Sequence, residues 1–300
     1  MTRGNMLVRV NGDWEAAMRE FQQARASSQD PEIQAAALAG IGKTYFLMGE
    51  YAAALDPLRE ILQNYPESPH RAEAYFHLGQ VYSALSRWLD ASESYMGYLT
   101  LRPGVIDAYV YEQRADALFA AGDYTGAMID YQAAVGSPRL STDFSLEVKL
   151  ARTYARLGDY STALVAYQDI FARTTSDYTR AQVSYLQGQT YMAAGQPDPA
   201  YAAYVQAIEN YPAAYDSYLS LVELVNAGYP VNELERGIVD YYAGEYGVAI
   251  AALDRYLLAP GDPATAFYFK GLCLRALDDP SAAIAQWDAV IIGYPGSSLW

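Results

Sequence analysis

Small and apolar residues recur along this chain at fixed intervals. In each interval a small or turn-forming residue is followed two positions later by an aromatic residue or proline, and three positions after that by alanine. The intervals are 34 to 37 residues long, with one exception of 49. The alanine is present in all eight copies: Ala17, Ala54, Ala91, Ala127, Ala163, Ala200, Ala249 and Ala283.

Each of these alanines begins an amphipathic stripe. In every copy a large residue follows four positions later, as Tyr95 follows Ala91, and a further apolar residue, such as Tyr98, follows three positions after that. Because steps of three and four residues lie on one face of an α-helix, the stripe predicts a helix with one buried face. Proline follows several of these helices and would end them, since it lacks the N–H that a continuing helix requires.

A second predicted helix precedes each turn, and its centre carries a glycine or alanine. These positions are Gly42, Gly79, Ala115, Ala151, Gly188, Gly237 and Gly271. Glycine inside a helix costs about 1 kcal/mol relative to alanine, so its recurrence needs a reason. We interpret it as space for the close approach of the following helix, while the turn glycine supplies the left-handed backbone that ends the first helix.

This arrangement resembles the tetratricopeptide repeat over nearly the whole chain. The resemblance implies an all-α fold, a right-handed α-solenoid of about eight helical hairpins. It also implies that the first helix of each hairpin lines a concave groove, in which a protein or peptide partner binds. We therefore predict a non-catalytic scaffold.

The 49-residue interval breaks the array once. Ala214–Val225 reads as a helix, Asn226–Pro230 as a loop, and Asp240 stands where an aromatic residue is expected. This is either a degenerate repeat or an inserted helix, and the length favours an insertion. We predict a block of about six repeats over 1–212, the first incomplete, and a continuous block over 213–300 with the inserted helix and two further repeats.

Both ends of the sequence look cut. Little precedes Gly12, and Ser297–Trp300 reads as the start of another helix. The hypothesis that follows is that the chain is a fragment of a longer protein.

Composition narrows the partner class. The 300 residues are 52% hydrophobic and carry a net charge of −15, so phosphate backbones and anionic membrane surfaces would be repelled on average. No apolar run is long enough to span a bilayer. We expect no nucleic-acid partner and no membrane span.

Motifs that suggest chemistry have simpler explanations. Gly42-Lys43-Thr44 ends like a phosphate-binding loop, but the repeat register places it inside a helix with no preceding strand. The only histidines, His70 and His77, lack a convincing third ligand, and the single cysteine, Cys273, reads as a buried small residue. We predict no catalytic residue, no cofactor and no metal.

Candidate binding residues lie on the predicted first helices. One group directly follows the small residue; by resemblance it faces the groove, and it lacks the Lys and Asn set that clamps a terminal carboxylate. A second group comprises aromatic residues that the repeat columns do not explain. Together they are Lys43, Phe76, Gln80, Tyr109, Asp116, Arg152, Tyr185 and Gln189.

A second resemblance covers less of the chain. Leu234–Ile250 and Ile284-Ala-Gln-Trp-Asp288 look like the helical superhelix that precedes the catalytic domain of bacterial soluble lytic transglycosylases. That alternative would imply peptidoglycan as ligand, a cell-envelope location, and a catalytic domain outside this chain.

Overall fold

The computed structural model describes residues 13–139, 144–261 and 263–297, and every regular element among them is an α-helix. The helices are α1 (Trp14–Ser27), α2 (Pro31–Leu47), α3 (Tyr51–Asn64), α4 (His70–Ala84), α5 (Trp88–Leu101), α6 (Asp107–Ala120), α7 (Tyr124–Gly136), α8 (Ser145–Arg156), α9 (Tyr160–Arg173), α10 (Asp177–Ala193), α11 (Pro197–Asn210), α12 (Tyr215–Asn226), α13 (Glu233–Tyr242), α14 (Tyr246–Leu257), α15 (Ala264–Ala276) and α16 (Pro280–Gly293).

The chain divides into two compact units, residues 1–157 and residues 158–300. In unit 1 the hairpins are α2/α3, α4/α5 and α6/α7; in unit 2 they are α10/α11, α13/α14 and α15/α16. The block boundary predicted after residue 212 stays a prediction. Gly12 and residues 298–300, on which the expectations about the two ends depend, lie outside the described residues.

The predicted packing columns form the core. All eight repeat alanines are completely buried, and the large residues four positions later are almost as inaccessible, except for half-buried Trp287. A Cβ atom on Gly79 or Gly188 would lie less than 3.0 Å from the ring of Tyr95 or Tyr204. The small residue of the first helix therefore makes room for the second helix, as predicted.

The turns between helices share one backbone conformation. The six described turn glycines have φ between 66° and 85°, as at Gly228 and Gly244. Ser86 and Asp278 occupy the same turn position with φ of 56° and 65°, where a side chain is strained. The left-handed turn is thus required by the geometry, whichever residue the sequence supplies.

The predicted additional helix is α12, which ends in such a turn but has no second helix after it. Leu221 stands at the position where other first helices carry a small residue, and it is buried in a cluster with Leu224 and Val239. In place of a second helix, the loop packs Tyr229 against Tyr201, with ring centroids 4.8 Å apart and the ring planes tilted by 37°. With no second helix to admit, this position no longer has to be small.

Candidate binding surface

We call the side of the first helices that carries the candidate residues the first-helix face. The residue after the small position is accessible in every copy: it is exposed at Arg152 and Gln189 and half-buried at the others. Its chemistry changes from copy to copy, whereas the packing columns repeat. The others are Lys43, Gln80, Asp116, Val222, Ile238 and Leu272.

Lys43 lies in the middle of α2, so the Gly42-Lys43-Thr44 motif is helical, as its register predicted. The Thr44 hydroxyl donates a hydrogen bond to the Gly40 carbonyl at 2.7 Å. Because helical N–H groups are already used within the helix, they cannot cradle a phosphate. The Lys43 ammonium has no ion-pair partner among the described residues.

On α4, the candidates Phe76 and Gln80 have partners within the protein. The Phe76 ring packs against Tyr98 and Tyr95, with centroids 5.6 Å and 6.3 Å away. Gln80 Oε1 lies 2.9 Å from His77 Nδ1. Phe76 therefore contributes to packing as well as to the face.

Both histidines interact with Glu73. His70 Nδ1 lies 3.0 Å from the Glu73 carboxylate, which raises the pKa of His70, and His77 Nε2 lies 3.8 Å from it. Hydrogen bonding to the two rings holds the pKa of Glu73 well below its usual range. The part of the chain that the structure describes contains no group of three His, Cys, Asp or Glu residues that could hold a metal ion.

A network of charges joins α6 to α8 in unit 1. Asp116 accepts hydrogen bonds from the Tyr131 hydroxyl at 2.6 Å and from Lys149 Nζ at 2.8 Å, and Lys149 also bonds to Glu112 at 2.9 Å. Burial lowers the pKa of Lys149, but the hydrogen bonds to these two carboxylates outweigh it, so that the pKa is raised. In this part of the face the carboxylates therefore already have a cationic partner within the protein.

Arginines complete the unit 1 face. Arg139 bonds to Glu112 at 3.0 Å and lies over the ring of Tyr109, while Arg152 lies over Phe119. Sequence reasoning found Tyr109 and Arg152 but missed Arg139. The contacts of Arg139 join separate copies, so no single-copy pattern could reveal them.

Two buried carboxylates lie beside arginines but not at candidate positions. Asp130 bonds to Arg114 at 3.1 Å, and Asp240 lies 3.7 Å from Arg236. Burial raises the pKa of each aspartate to about 6. Cys273 is completely buried, as predicted, and burial raises the pKa of its thiol to about 11. A protonated thiol without solvent access is unsuited to nucleophilic chemistry.

In unit 2 the face becomes aromatic and apolar. Gln189 donates a hydrogen bond to the Tyr185 hydroxyl at 2.7 Å. Tyr218 stands on α12 in the register that Phe76 and Tyr185 occupy on their helices, three residues before the small position. Sequence reasoning missed it together with Tyr215, because the break in the repeat hid the register of α12.

Comparison with known families identifies the repeat. Models described as tetratricopeptide repeat match residues 7–69 and 234–298, and a further one matches residues 182–214; together they cover more than half of the chain. The chain belongs to the tetratricopeptide repeat family, whose fold is that of a protein-interaction repeat. No curated protein matches the sequence.

Solved structures support the same fold. A tetratricopeptide repeat protein from Parabacteroides merdae ATCC 43184 is 13% identical, with a TM-score of 0.54 over 91% of this chain and 96% of that one. YrrB, described as a TPR protein with an unusual peptide-binding site, is 19% identical, with a TM-score of 0.54 over 68% of this chain and 96% of its own. MamA is 21% identical, with a TM-score of 0.50 over 59% and 91%. At these identities the likeness shows the α-solenoid fold alone.

Among the described helices, none combines the length and the hydropathy that crossing a membrane would need.

Proposed function

We propose that the chain is a non-catalytic scaffold that binds a protein or peptide partner in a concave groove formed by its first-helix face. One observation carries the proposal. The position after the small residue is accessible in every copy, yet its chemistry is basic, polar, acidic or apolar from one copy to the next. A rigid repeat that presents variable side chains in a row is suited to recognising an extended partner.

Within this groove, five of the eight candidate residues differ in how available they are to a partner. Lys43, Arg152 and Gln189 have accessible polar groups, whereas Phe76 and Asp116 already make contacts within unit 1. We assign direct partner contacts to the first group. The second group shapes the surface and fixes the charge around it.

In the test, peptides that bind the chain are selected from a random library, and their affinity is measured by fluorescence anisotropy. Arg152→Glu should weaken a selected peptide about fivefold or more while leaving helicity unchanged, because it inverts an exposed charge in the groove. Arg19→Glu is the matched control, since Arg19 is equally an exposed arginine but lies on α1, a second helix.

Equal affinities for the two variants would contradict the proposal. Co-sedimentation of the chain with purified peptidoglycan, lost in Arg152→Glu, would replace the peptide partner with the glycan of the alternative. The peptidoglycan experiment therefore separates the two functions that the sequence suggested.

A further inference from the structure

A cavity opens in unit 1 away from the first-helix face. It lies among α1, α2 and α3, has a volume of about 720 Å³, and is lined by residues that include Gln22, Tyr45 and Pro57. Ligand sites in proteins usually measure about 300–1,000 Å³. The eight candidate residues of the first-helix face all lie outside it. We call this space the second-helix cavity, because it separates two successive second helices, α1 and α3.

Two columns of the repeat meet at such a groove: the residue five positions after the repeat alanine, and the residue three positions after the small residue of the next first helix. In another copy of unit 1 these are Gln132 and Tyr154, and Gln132 Nε2 donates a hydrogen bond to the Tyr154 hydroxyl at 2.8 Å. At the cavity the same columns hold Gln22 and Tyr45. Neither side chain has a hydrogen-bond partner among the described residues. The amide and the hydroxyl that bond to each other in one groove are therefore available to a ligand in the other.

A proline within α3 adds a backbone acceptor to the wall of the cavity. Pro57 lacks the N–H that would otherwise bond to the carbonyl of Ala53, four residues before it. Both residues line the cavity. Proline occurs at this column in no other copy of the repeat. The Ala53 carbonyl is thus an acceptor that the helical ladder does not use.

The remaining polar groups of the wall are neutral. Arg25 is the only charged residue among the described residues that line the cavity, and its Nη2 donates to both carboxylate oxygens of Glu60, at 2.7 Å and 2.9 Å. Gln29, like Gln22 and Tyr45, has no hydrogen-bond partner in the described part of the chain. Because an amide or a hydroxyl can both donate and accept, the cavity suits a neutral ligand that does the same.

We propose that the second-helix cavity binds an uncharged, extended segment of a partner protein through its backbone amides. Each residue of such a segment carries one N–H donor and one carbonyl acceptor, which match the groups of Gln22, Tyr45 and Ala53. A charged side chain would lose its hydration there without gaining an unpaired counter-charge. The inference rests on the proposed function, since it keeps a peptide as the partner, and it adds a contact site on the second helices.

In the experiment, peptides that bind the full chain are selected from a random library without charged residues, and their affinity is measured by fluorescence anisotropy. Ala26→Trp fills the cavity from an exposed position on α1 and should weaken binding about tenfold or more. Tyr45→Phe keeps the ring but removes the hydroxyl, and should weaken binding about threefold. Methylation of single backbone nitrogens of the peptide should cost about as much at one or more positions, because each methyl group replaces a donor.

Two controls match these substitutions. Ala52→Trp introduces the same side chain at an exposed alanine of α3 that lies outside the cavity. Tyr154→Phe removes the corresponding hydroxyl from the groove where Gln132 already bonds to it. Both should bind the selected peptides as the unmodified chain does. Equal melting temperatures of the Ala26→Trp and Tyr45→Phe variants show that a loss of binding does not come from unfolding.

Selected peptides that bind Ala26→Trp as well as the unmodified chain, or that tolerate methylation at every backbone nitrogen, would overturn the proposal. If their affinity depended on Arg152 instead, the inference would fail and the scaffold function would remain. Peptidoglycan fragments that bind the chain but not Ala26→Trp, with no peptide selected, would assign the cavity to a glycan. Failure of this library and of the unrestricted one to yield any binder would count against both proposals.

Discussion

The first-helix face differs between the two units. In unit 1, around α6 and α8, Asp116 and Glu112 are neutralised by Lys149 and Arg139. In unit 2, around α12 and α13, Asp240 lies 3.7 Å from Arg236, whereas the exposed Glu245 has no ion-pair partner among the described residues. The same repeat geometry therefore presents compensated carboxylates around α6 and α8 and an uncompensated one, Glu245, beside α13.

The difference shows that repeat register alone does not define a binding site. Asp116 follows the small residue of its first helix and so qualified as a candidate, yet its carboxylate is occupied by Lys149 and Tyr131. Tyr218 matched no sequence column, because Leu221 replaces the small residue of α12. Which side chains are available to a partner depends on what neighbouring copies supply.

The largest expected effect tests whether the two units pack alike beneath these different faces. Gly79→Ala in unit 1 and Gly188→Ala in unit 2 should each lower the free energy of unfolding by about 2–3 kcal/mol, because the new Cβ would meet the buried ring of Tyr95 or Tyr204. Urea unfolding followed by circular dichroism measures this. Gly136→Ala, with open space around its Cβ, should instead stabilise slightly. An unaffected Gly188→Ala would mean that the two units pack differently.

The second largest effect is expected on the free energy of unfolding when the buried aspartates, Asp130 in unit 1 and Asp240 in unit 2, are substituted. Their pKa values of about 6 lie above the ordinary value of about 3.9, so the folded state binds more protons between about pH 4 and 6. Their contribution to the free energy of unfolding therefore increases as pH falls through that window. At pH 7, Asp240→Asn should stabilise by about 1–2 kcal/mol and flatten the change between pH 7 and 5.

Asp130→Asn serves as the contrast. Arg114 donates a hydrogen bond to Asp130 at 3.1 Å, and this charged bond would be weakened, whereas Arg236 makes no such bond to Asp240. Unfolding curves at both pH values measure the difference. Both pH values are 5 or higher. Because the pKa of Glu73 is depressed, Glu73 stays ionised at both, and its own contribution to the free energy of unfolding, which would fall in acid, does not change. Equal stabilisation by the two substitutions would contradict the comparison.

A smaller effect is expected when a cation is removed from unit 1, so that a carboxylate there loses its partner and resembles Glu245 of unit 2. Lys149→Met removes the cation between Glu112 and Asp116 and should cost about 1 kcal/mol, since the ammonium is partly exposed. It should also increase the binding of a labelled Gly-Ser peptide that carries four lysines, measured by fluorescence anisotropy, because Asp116 is left without its cation. The double variant Lys149→Met/Asp116→Asn should abolish that gain in the same anisotropy measurement. If Lys149→Met bound the four-lysine peptide no better than the unmodified chain, charge compensation would not explain the difference between the two faces.

The smallest effect concerns the turn position that the units share. Ser86→Gly in unit 1 should raise the free energy of unfolding by about 1 kcal/mol, because glycine accepts a φ of 56° without strain. Asp278→Gly in unit 2 should gain only about half as much, since aspartate tolerates this conformation better than serine. Thermal unfolding of each variant gives the comparison. Destabilisation by Ser86→Gly would show that the serine side chain contributes more than its backbone costs.

Much of the fold could be predicted because packing repeats. The eight alanines, the small residue of the first helix and the left-handed turn are visible in one copy after another, and each follows from how closely two helices approach. The location of the extra helix was also predictable: Ala214–Val225 is found as Tyr215–Asn226. Cys273 was correctly read as buried.

The candidate binding surface could be predicted only in part. The register identified accessible positions such as Arg152 and Gln189, because a residue next to a buried one on a helix points elsewhere. It could not identify Arg139 or Lys149, whose contacts cross from one copy to another. Charge compensation depends on the distance between side chains of different copies, and the residue pattern within one repeat does not reveal that distance.

By itself, the sequence determined that this protein is a stack of helical hairpins, since the spacing of small and large side chains admits one way of burying them. Only the tertiary structure decided which exposed groups have internal partners, leaving Asp116 occupied and Glu245 without an ion-pair partner among the described residues. The physical reason is range: packing constraints act between helices close in sequence, whereas ion pairs form between any side chains that the fold brings within a few ångströms.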